Sequence, residues 1–282
     1  MSVLVGTSVR EAVDGAVTAI AAAGCQTPRL DAEVLLAHVL GVPRERLLID
    51  DQLSVEGTAV RAFQQAVRRR SVDREPVAYI VAGRHFRRLW LSVDRRALVP
   101  RPETELLVEV GLGLPHGARV LDLGTGSGAV ALALKDERPD LDVTGSDRSG
   151  PALSLASANA ARLGLRLRWL HVDLLDGVAD EFDAIIANLP YVAERERAEL
   201  APEIVRHEPP EALFAGEDGL AAIRALADQV AGRARVKLLA LEHGAGQGSA
   251  VRELARSAGF TLVQGRRDLA GIERVAIARR SG

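Results

Sequence analysis

The chain has 282 residues, 48% of them hydrophobic, enough for one large or two ordinary globular domains with a real core. Its 36 lysines and arginines against 38 aspartates and glutamates leave a net charge of −2, so no overall attraction to nucleic acid or membrane is implied. A lone cysteine, Cys25, excludes an intramolecular disulfide, and no apolar run approaches the roughly 18 residues of a membrane span. The first residues lack a basic-then-apolar signal pattern, so a soluble cytoplasmic protein is expected.

Residues 1 to about 75 read as a small helical domain. Ser8-Val-Arg-Glu11 is a capping box opening a helix that carries Val13, Ala16, Val17 and Ile20 on one side and ends near Gly24. A second helix runs from about Leu30 to Leu40 and stops at Gly41, Pro43 to Leu48 suits a short third, and a fourth spans about Ser54 to Arg70, weakened by Gly57. The bundle carries no catalytic constellation and would bury little alone, so docking on a partner or a second domain is expected.

From Arg61 to Arg101 eleven arginines face three acids, Asp73, Glu75 and Asp94, a local excess of eight positive charges in a chain that totals −2. Either a basic face for an acidic partner or RNA, or a solvated arginine-rich surface, accounts for this. Within it, His85 to Val93 alternates with β-forming residues and reads as a hairpin; residues 76–100 therefore link the helical domain to a catalytic domain over 101–282. Pro100-Arg-Pro-Glu-Thr-Glu105 then opens a helix, with Pro102 at its first position and Glu103 and Glu105 at its positive end.

The catalytic domain alternates strands, near 118–123, 142–147, 167–172, 183–187, 235–242, 260–265 and 273–279, with helices near 128–136, 151–163, 217–233 and 247–258. That alternation predicts a mostly parallel sheet covered on both faces, and the adjacency of the last two strands predicts an antiparallel finish. After the first strand the chain reads Asp122-Leu-Gly-Thr-Gly-Ser-Gly128. Strand, glycine turn and helix present backbone N–H groups to a ligand at the carboxyl end of a strand. The third glycine comes two residues after the second, not the three of a dinucleotide fingerprint. The form D-x-G-x-G-x-G resembles motif I of the class I S-adenosylmethionine-dependent methyltransferases.

Asp147 closes the second strand, where an acid takes the ribose hydroxyls of an adenosine ligand, and Asp173 follows the third, placed for the adenine amino group or as a helix cap. The fourth strand ends in Asn188-Leu-Pro-Tyr191. Pro190 restricts Leu189 to extended conformations and so aims its carbonyl, while Tyr191 offers a flat face to a planar group. Beside a sulfonium methyl this suits methylation of an amide or amino nitrogen. Its lone pair is delocalised, and acceptors at the Asn188 side-chain oxygen and the Leu189 carbonyl would orient it and stabilise the charge that develops on it. The six histidines fall at no metal-ligand spacing, and no metal is expected.

The glycine loop, Asn188-Leu-Pro-Tyr191, Arg101-Pro-Glu-Thr-Glu105 and the helical start together resemble the HemK/PrmC family of N5-glutamine methyltransferases. Glu75-Pro-Val-Ala-Tyr79, Glu208-Pro-Pro-Glu-Ala-Leu213, Leu241-Glu-His-Gly244 and Asp268-Leu-Ala-Gly271 extend the resemblance over nearly the whole chain. It implies a seven-stranded Rossmann-like methyltransferase domain behind a helical substrate-recognition domain. The implied activity is methylation of the glutamine in the Gly-Gly-Gln tip of class I peptide chain release factors, with S-adenosylmethionine as donor and S-adenosylhomocysteine as product. By the same resemblance Gly124, Thr125, Gly126, Ser127, Gly128, Asp147, Asp173, Leu174 and Asn188 hold the cofactor. Asn188, Leu189, Pro190 and Tyr191 receive the glutamine, and the helical domain grips the release factor. A monomer without direct nucleic-acid binding is expected. The family pattern is Asn-Pro-Pro-Tyr; Leu189 keeps the carbonyl but loses a fixed φ, so a working, slower site is expected. Methylation of a ribosomal-protein glutamine, or of an amino group in nucleic acid, remains an alternative at this stage.

Overall fold

The computed structural model describes residues 7–50, 53–179 and 181–280. Residues 1–6 and 51–52 of the expected helical domain, and 180 and 281–282 of the expected catalytic domain, lie outside the described residues. Two compact units emerge: Met1–Ala82 with Ala201–His207, and Gly83–Leu200 with Glu208–Gly282.

In the first unit, strand β1 (Thr7–Ser8) leads into helices α1 (Val9–Ala22), α2 (Pro28–Leu40) and α3 (Arg46–Ile49). Strand β2 (Ser54–Val55) and helices α4 (Thr58–Ser71) and α5 (Val77–Ile80) follow. The capping box forms as read: the Glu11 N–H donates to Ser8 Oγ at 3.2 Å and the Ser8 N–H to Glu11 Oε2 at 3.1 Å. The fourth helix starts later than its pattern suggested. Ser54 and Val55 pair antiparallel with β1, and Gly57, at φ 56°, turns the chain into α4. Val55 is fully enclosed there, so tertiary burial overrides the local helical pattern. Ile20, Leu35, Leu36 and Phe63 centre the apolar core.

A buried ion cluster sits beside it. Arg70 Nε donates to Asp31 Oδ2 at 2.6 Å and Arg70 Nη2 to Glu203 Oε1 at 3.1 Å, while Arg74 Nη2 meets Glu203 Oε2 at 2.5 Å. Glu203 comes from the short helix that the later part of the chain supplies to this unit.

The second unit opens with the antiparallel hairpin β3 (Arg84–Phe86) and β4 (Leu89–Leu91). A 3₁₀ turn, Pro102–Thr104, precedes α6 (Glu105–Leu112). Then come β5 (Arg119–Leu123), α7 (Ala129–Glu137), β6 (Asp142–Asp147), α8 (Gly150–Leu163), β7 (Arg168–His171) and β8 (Ala184–Ala187). The chain next gives α9 (Pro202–His207) to the first unit and returns as α10 (Ala221–Ala231), β9 (Leu238–Glu242), α11 (Gly248–Ser257), β10 (Leu262–Arg267) and β11 (Glu273–Arg279).

Seven strands form one sheet in the order β10, β11, β9, β8, β5, β6, β7. The five from β9 to β7 are parallel, and β11 and β10 close it antiparallel. Strand alternation builds the two cores: Val120 and Ile186 join the apolar layer with α6 and α7, whereas Leu121, Leu123 and Ile185 join the layer with α10 and α11. Burial on both faces explains why these strands read as continuous apolar runs. The chain runs outward from β5 through β6 to β7, then crosses back to β8 on the other side of β5. Strand order thus reverses at the carboxyl end of β5, where open α/β sheets bind ligands.

Candidate active site

At that switch point the chain after β5 turns through three glycines with positive φ: Gly124 at 75°, Gly126 at 55° and Gly128 at 85°. L-residues adopt such φ values at a steric cost, so the turn demands glycine. A methyl at Gly128 would also stand 3.1 Å from Ala156 Cβ, and one at Gly124 3.2 Å from Leu189 Cδ2.

Several groups tie the loop down. The Ser146 carbonyl accepts from the N–H groups of Gly124 (2.9 Å) and Thr125 (2.8 Å). Beneath the loop, Asp122 Oδ2 accepts from Thr125 Oγ1 at 2.6 Å and from the Ala131 N–H at 3.0 Å. Burial pushes the Asp122 carboxyl up to about 6 against those hydrogen bonds. From the side, the buried Asn159 amide donates to the Ser127 carbonyl at 3.0 Å and bonds both backbone groups of Ser92.

A cavity of about 440 Å³ opens over this loop, within the range of small-molecule sites. Gly124, Thr125, Gly126, Ser127, Asp147, Asp173, Leu174, Asn188, Leu189 and Pro190 all line it. Gly128 does not; it starts α7. Tyr191 is outside the lining, with its hydroxyl 3.4 Å from Glu242 Oε1. Asp147 caps β6 with each carboxylate oxygen already accepting one N–H, from Gly126 at 2.9 Å and Ser149 at 2.8 Å. One further lone pair on each oxygen remains for a vicinal diol. Leu174 holds φ 47°, a left-handed conformation unusual for a leucine, beside Asp173 on the same wall.

The opposite wall is Asn188-Leu-Pro-Tyr191. Asn188 Nδ2 donates to Thr104 Oγ1 at 3.1 Å, from the 3₁₀ turn ahead of α6. Leu189 is 5% exposed and packs in the apolar layer below β8, and the residue also borders the cleft. The Tyr191 carbonyl accepts from Gln247 Nε2 at 2.9 Å. Burial pushes the Tyr191 hydroxyl pKa up, and the Glu242 carboxyl adds to it. Glu242, the last residue of β9, is pushed up to about 7 by burial, against hydrogen bonding from Thr104 and Tyr191; its Oε2 is enclosed without a partner.

Several of these residues went unassigned in the sequence. Asp122, Thr104, Glu208 and Glu242 all stood in stretches that carried the family resemblance, but only the fold shows their partners. Glu208 Oε1 takes Arg101 Nη2 at 2.5 Å and its Oε2 the Val99 N–H at 3.1 Å, holding one rim of the cavity. Asn159 and Gln247 are lone polar residues on helical stretches, and nothing in the sequence distinguishes them.

Much of the arginine-rich band is ion-paired, while Arg61, Arg68, Arg88, Arg95 and Arg96 are exposed. Arg69, Arg70, Arg74, Arg87, Arg88, Arg96 and Arg101 each form an ion pair inside their own unit. Most of their partners, Asp31, Glu203, Glu137, Asp136 and Glu208, lie outside the band in sequence. No group of three or more His, Cys, Asp or Glu suited to a metal occurs among the described residues. Nor, among them, is any helix long and apolar enough to cross a membrane.

The PrmC N-terminal domain family model matches residues 11–81, and the methyltransferase small domain model matches 102–217. The release factor glutamine methyltransferase of Bordetella pertussis is 44% identical over 259 residues, covering 88% of this chain and 94% of that protein. The chain belongs to the release factor glutamine methyltransferase family. The family member of Mycolicibacterium smegmatis is 39% identical over 281 residues, 97% of this chain and 98% of its own. Like that family, the chain carries a class I methyltransferase fold behind a helical N-terminal region. A methyltransferase from Pyrococcus furiosus shares that fold with a TM-score of 0.52 at 16% identity, covering 68% of this chain and 89% of its own.

Proposed function

We propose that this chain transfers a methyl group from S-adenosylmethionine to the side-chain amide nitrogen, N5, of the glutamine in the Gly-Gly-Gln tip of class I peptide chain release factors. One observation carries the reading: the glycine loop and Asp147 share a single cavity with Asn188 and Leu189. The ligand-facing chemistry fits the cofactor, with a carboxylate for a ribose diol, glycine backbone as wall and a volume suited to a nucleoside. When bound, S-adenosylmethionine supplies an electrophilic methyl on a sulfonium.

The chain's residues do the rest. Asp147 takes the ribose hydroxyls, and Asp173 with Leu174 borders the adenine. Asn188 Oδ1 and the Leu189 carbonyl accept the two N–H groups of the substrate amide, turning its lone pair toward the methyl. The same two acceptors stabilise the positive charge that builds on nitrogen, so no side-chain base is needed to begin the transfer. Pro190 keeps the Leu189 carbonyl aimed.

Mass spectrometry of purified release factor incubated with the chain and S-adenosylmethionine tests this. One added methyl on the Gly-Gly-Gln glutamine, abolished by Asn188→Ala, is the expected outcome. Unmodified glutamine, with cofactor binding still seen by calorimetry, would move the methyl to another acceptor.

A further inference from the structure

Gln247 stands where three loops meet. It caps the N-terminus of α11, whose Val251 and Ala255 lie in the apolar layer, so a rigid element carries its backbone. Both ends of its side-chain amide are bonded. Oε1 accepts the Gly244 N–H at 2.8 Å, while Nε2 donates to the Tyr191 carbonyl at 2.9 Å and, less closely, to the Asp218 carbonyl at 3.4 Å. One N–H and two carbonyls fix the direction of the amide, because the reverse would set its oxygen against two acceptors. The bond to Tyr191 falls on the peptide plane by which the chain leaves Asn188-Leu-Pro-Tyr191. At the other end of that plane the Val192 N–H donates to the Leu213 carbonyl at 2.9 Å, so the plane is gripped from both sides. Gly219 closes against it at φ 75°: a Cβ there would stand 2.3 Å from the Tyr191 oxygen and 2.8 Å from Gln247 Nε2.

We propose that Gln247 is a positioning residue: by holding the Tyr191 carbonyl it sets the backbone path of Asn188-Leu-Pro-Tyr191, and with it the aim of the acceptors that receive the substrate amide. The inference rests on the reading that Asn188 and Leu189 take that amide. Gln247 does not line the cavity, so it acts only through Tyr191. Pro190 contributes a fixed φ, which leaves few torsions between the held plane and the Leu189 carbonyl. Leucine at 189 has no ring to limit its own φ, so an anchor further along the chain carries more of the task. Without the anchor the acceptors drift from the substrate nitrogen, and misplacement of that kind costs rate more than binding.

The test uses the full chain and a release factor with its Gly-Gly-Gln tip. Methylation by the unaltered chain is read first, because its failure removes the proposed function and this inference with it. Gln247→Glu is then assayed at about pH 8, where a carboxylate is ionised. It keeps the size of the side chain and the acceptor for the Gly244 N–H, and removes only the donor to Tyr191. We expect kcat to fall about tenfold or more, with KM for the release factor within about twofold. Calorimetry with S-adenosylmethionine should show unchanged affinity and an unchanged fraction of binding-competent chain. Should Gln247→Glu fold poorly, Gln247→Met is the second variant without a donor, and the same split between kcat and KM is expected of it. A donor-free variant whose kcat stays within twofold of the unaltered chain overturns the proposal. So does one whose loss of rate is matched by loss of cofactor-binding chain, or appears in KM with kcat unchanged.

Discussion

Asp147 shows how much a single side chain does at this site. Its oxygens hold the Gly126 and Ser149 N–H groups, so it shapes the loop as well as facing the cavity. Asp147→Ala removes two ligand bonds and leaves two N–H groups without partners. Hydrogen bonds to a charged group contribute about 1.5–3 kcal/mol each, so cofactor affinity should fall by at least about tenfold. Calorimetric titration with S-adenosylmethionine checks this; an affinity within twofold of the unaltered chain would remove Asp147 from the ribose site. Leu189 illustrates a different economy. Proline at that position would fix the backbone, whereas leucine fills the space under Gly124, where a glycine Cβ would stand 3.2 Å from its Cδ2. Packing takes over part of what ring closure supplies elsewhere.

Among the elements, α9 has an effect beyond its six residues, because it carries Glu203 to Arg70 and Arg74. Breaking a buried ion cluster by removing one partner is costly, since the others keep their charge without compensation. Arg70→Ala should therefore lose about 3–5 kcal/mol of stability, read by urea unfolding through a helix-sensitive signal. A loss below about 1 kcal/mol would mean that Asp31 and Glu203 find water or other partners. This cluster marks where the sequence stops being legible. Strands β8 and β9 could be read because burial on both faces leaves a largely apolar run, and α1 because its cap residues are local. The pairing of Ser54–Val55 with β1, the fate of α9 and the Asn188–Thr104 contact all join residues distant in sequence. Local pattern carries no trace of such partners. The glycine loop and Asn188-Leu-Pro-Tyr191 stand out in the sequence for the opposite reason: glycines at positive φ and a proline mark backbone conformations that only particular residues adopt.

For the molecule as a whole, charge is the quantity that the chain order misrepresents. An excess of eight positive charges over Arg61 to Arg101 suggests a basic surface, yet acids from distant segments neutralise most of it. Two buried carboxyls then govern one limb of the pH dependence. Asp122 is pushed up to about 6 and Glu242 to about 7, both by burial. An acid whose pKa is higher folded than unfolded stabilises the fold below its unfolded value, and that contribution is lost as pH rises through the folded value. For Glu242 the window runs from 4.5 to about 7, with Thr104, Glu103, Tyr191 and Arg274 as the polar or charged groups facing it. Glu242→Gln abolishes the titration, so its melting temperature relative to the unaltered chain should climb across that window. A constant difference between the two melting curves would show that Glu242 ionises as freely in the folded protein as in the unfolded one.

The division of the first unit between two stretches of chain also dictates an order of events on the ribosome. Arg70 and Arg74 emerge early, whereas Glu203 is added only after the glycine loop, β6 and β8 have been synthesised. Until then Arg70 has its Asp31 partner, but the Glu203 carboxylate that pairs with both Arg70 and Arg74 is missing. Completion of the N-terminal unit thus waits on translation of the methyltransferase sequence, and a fragment ending at Ala82 would lack a charge that its own interior requires.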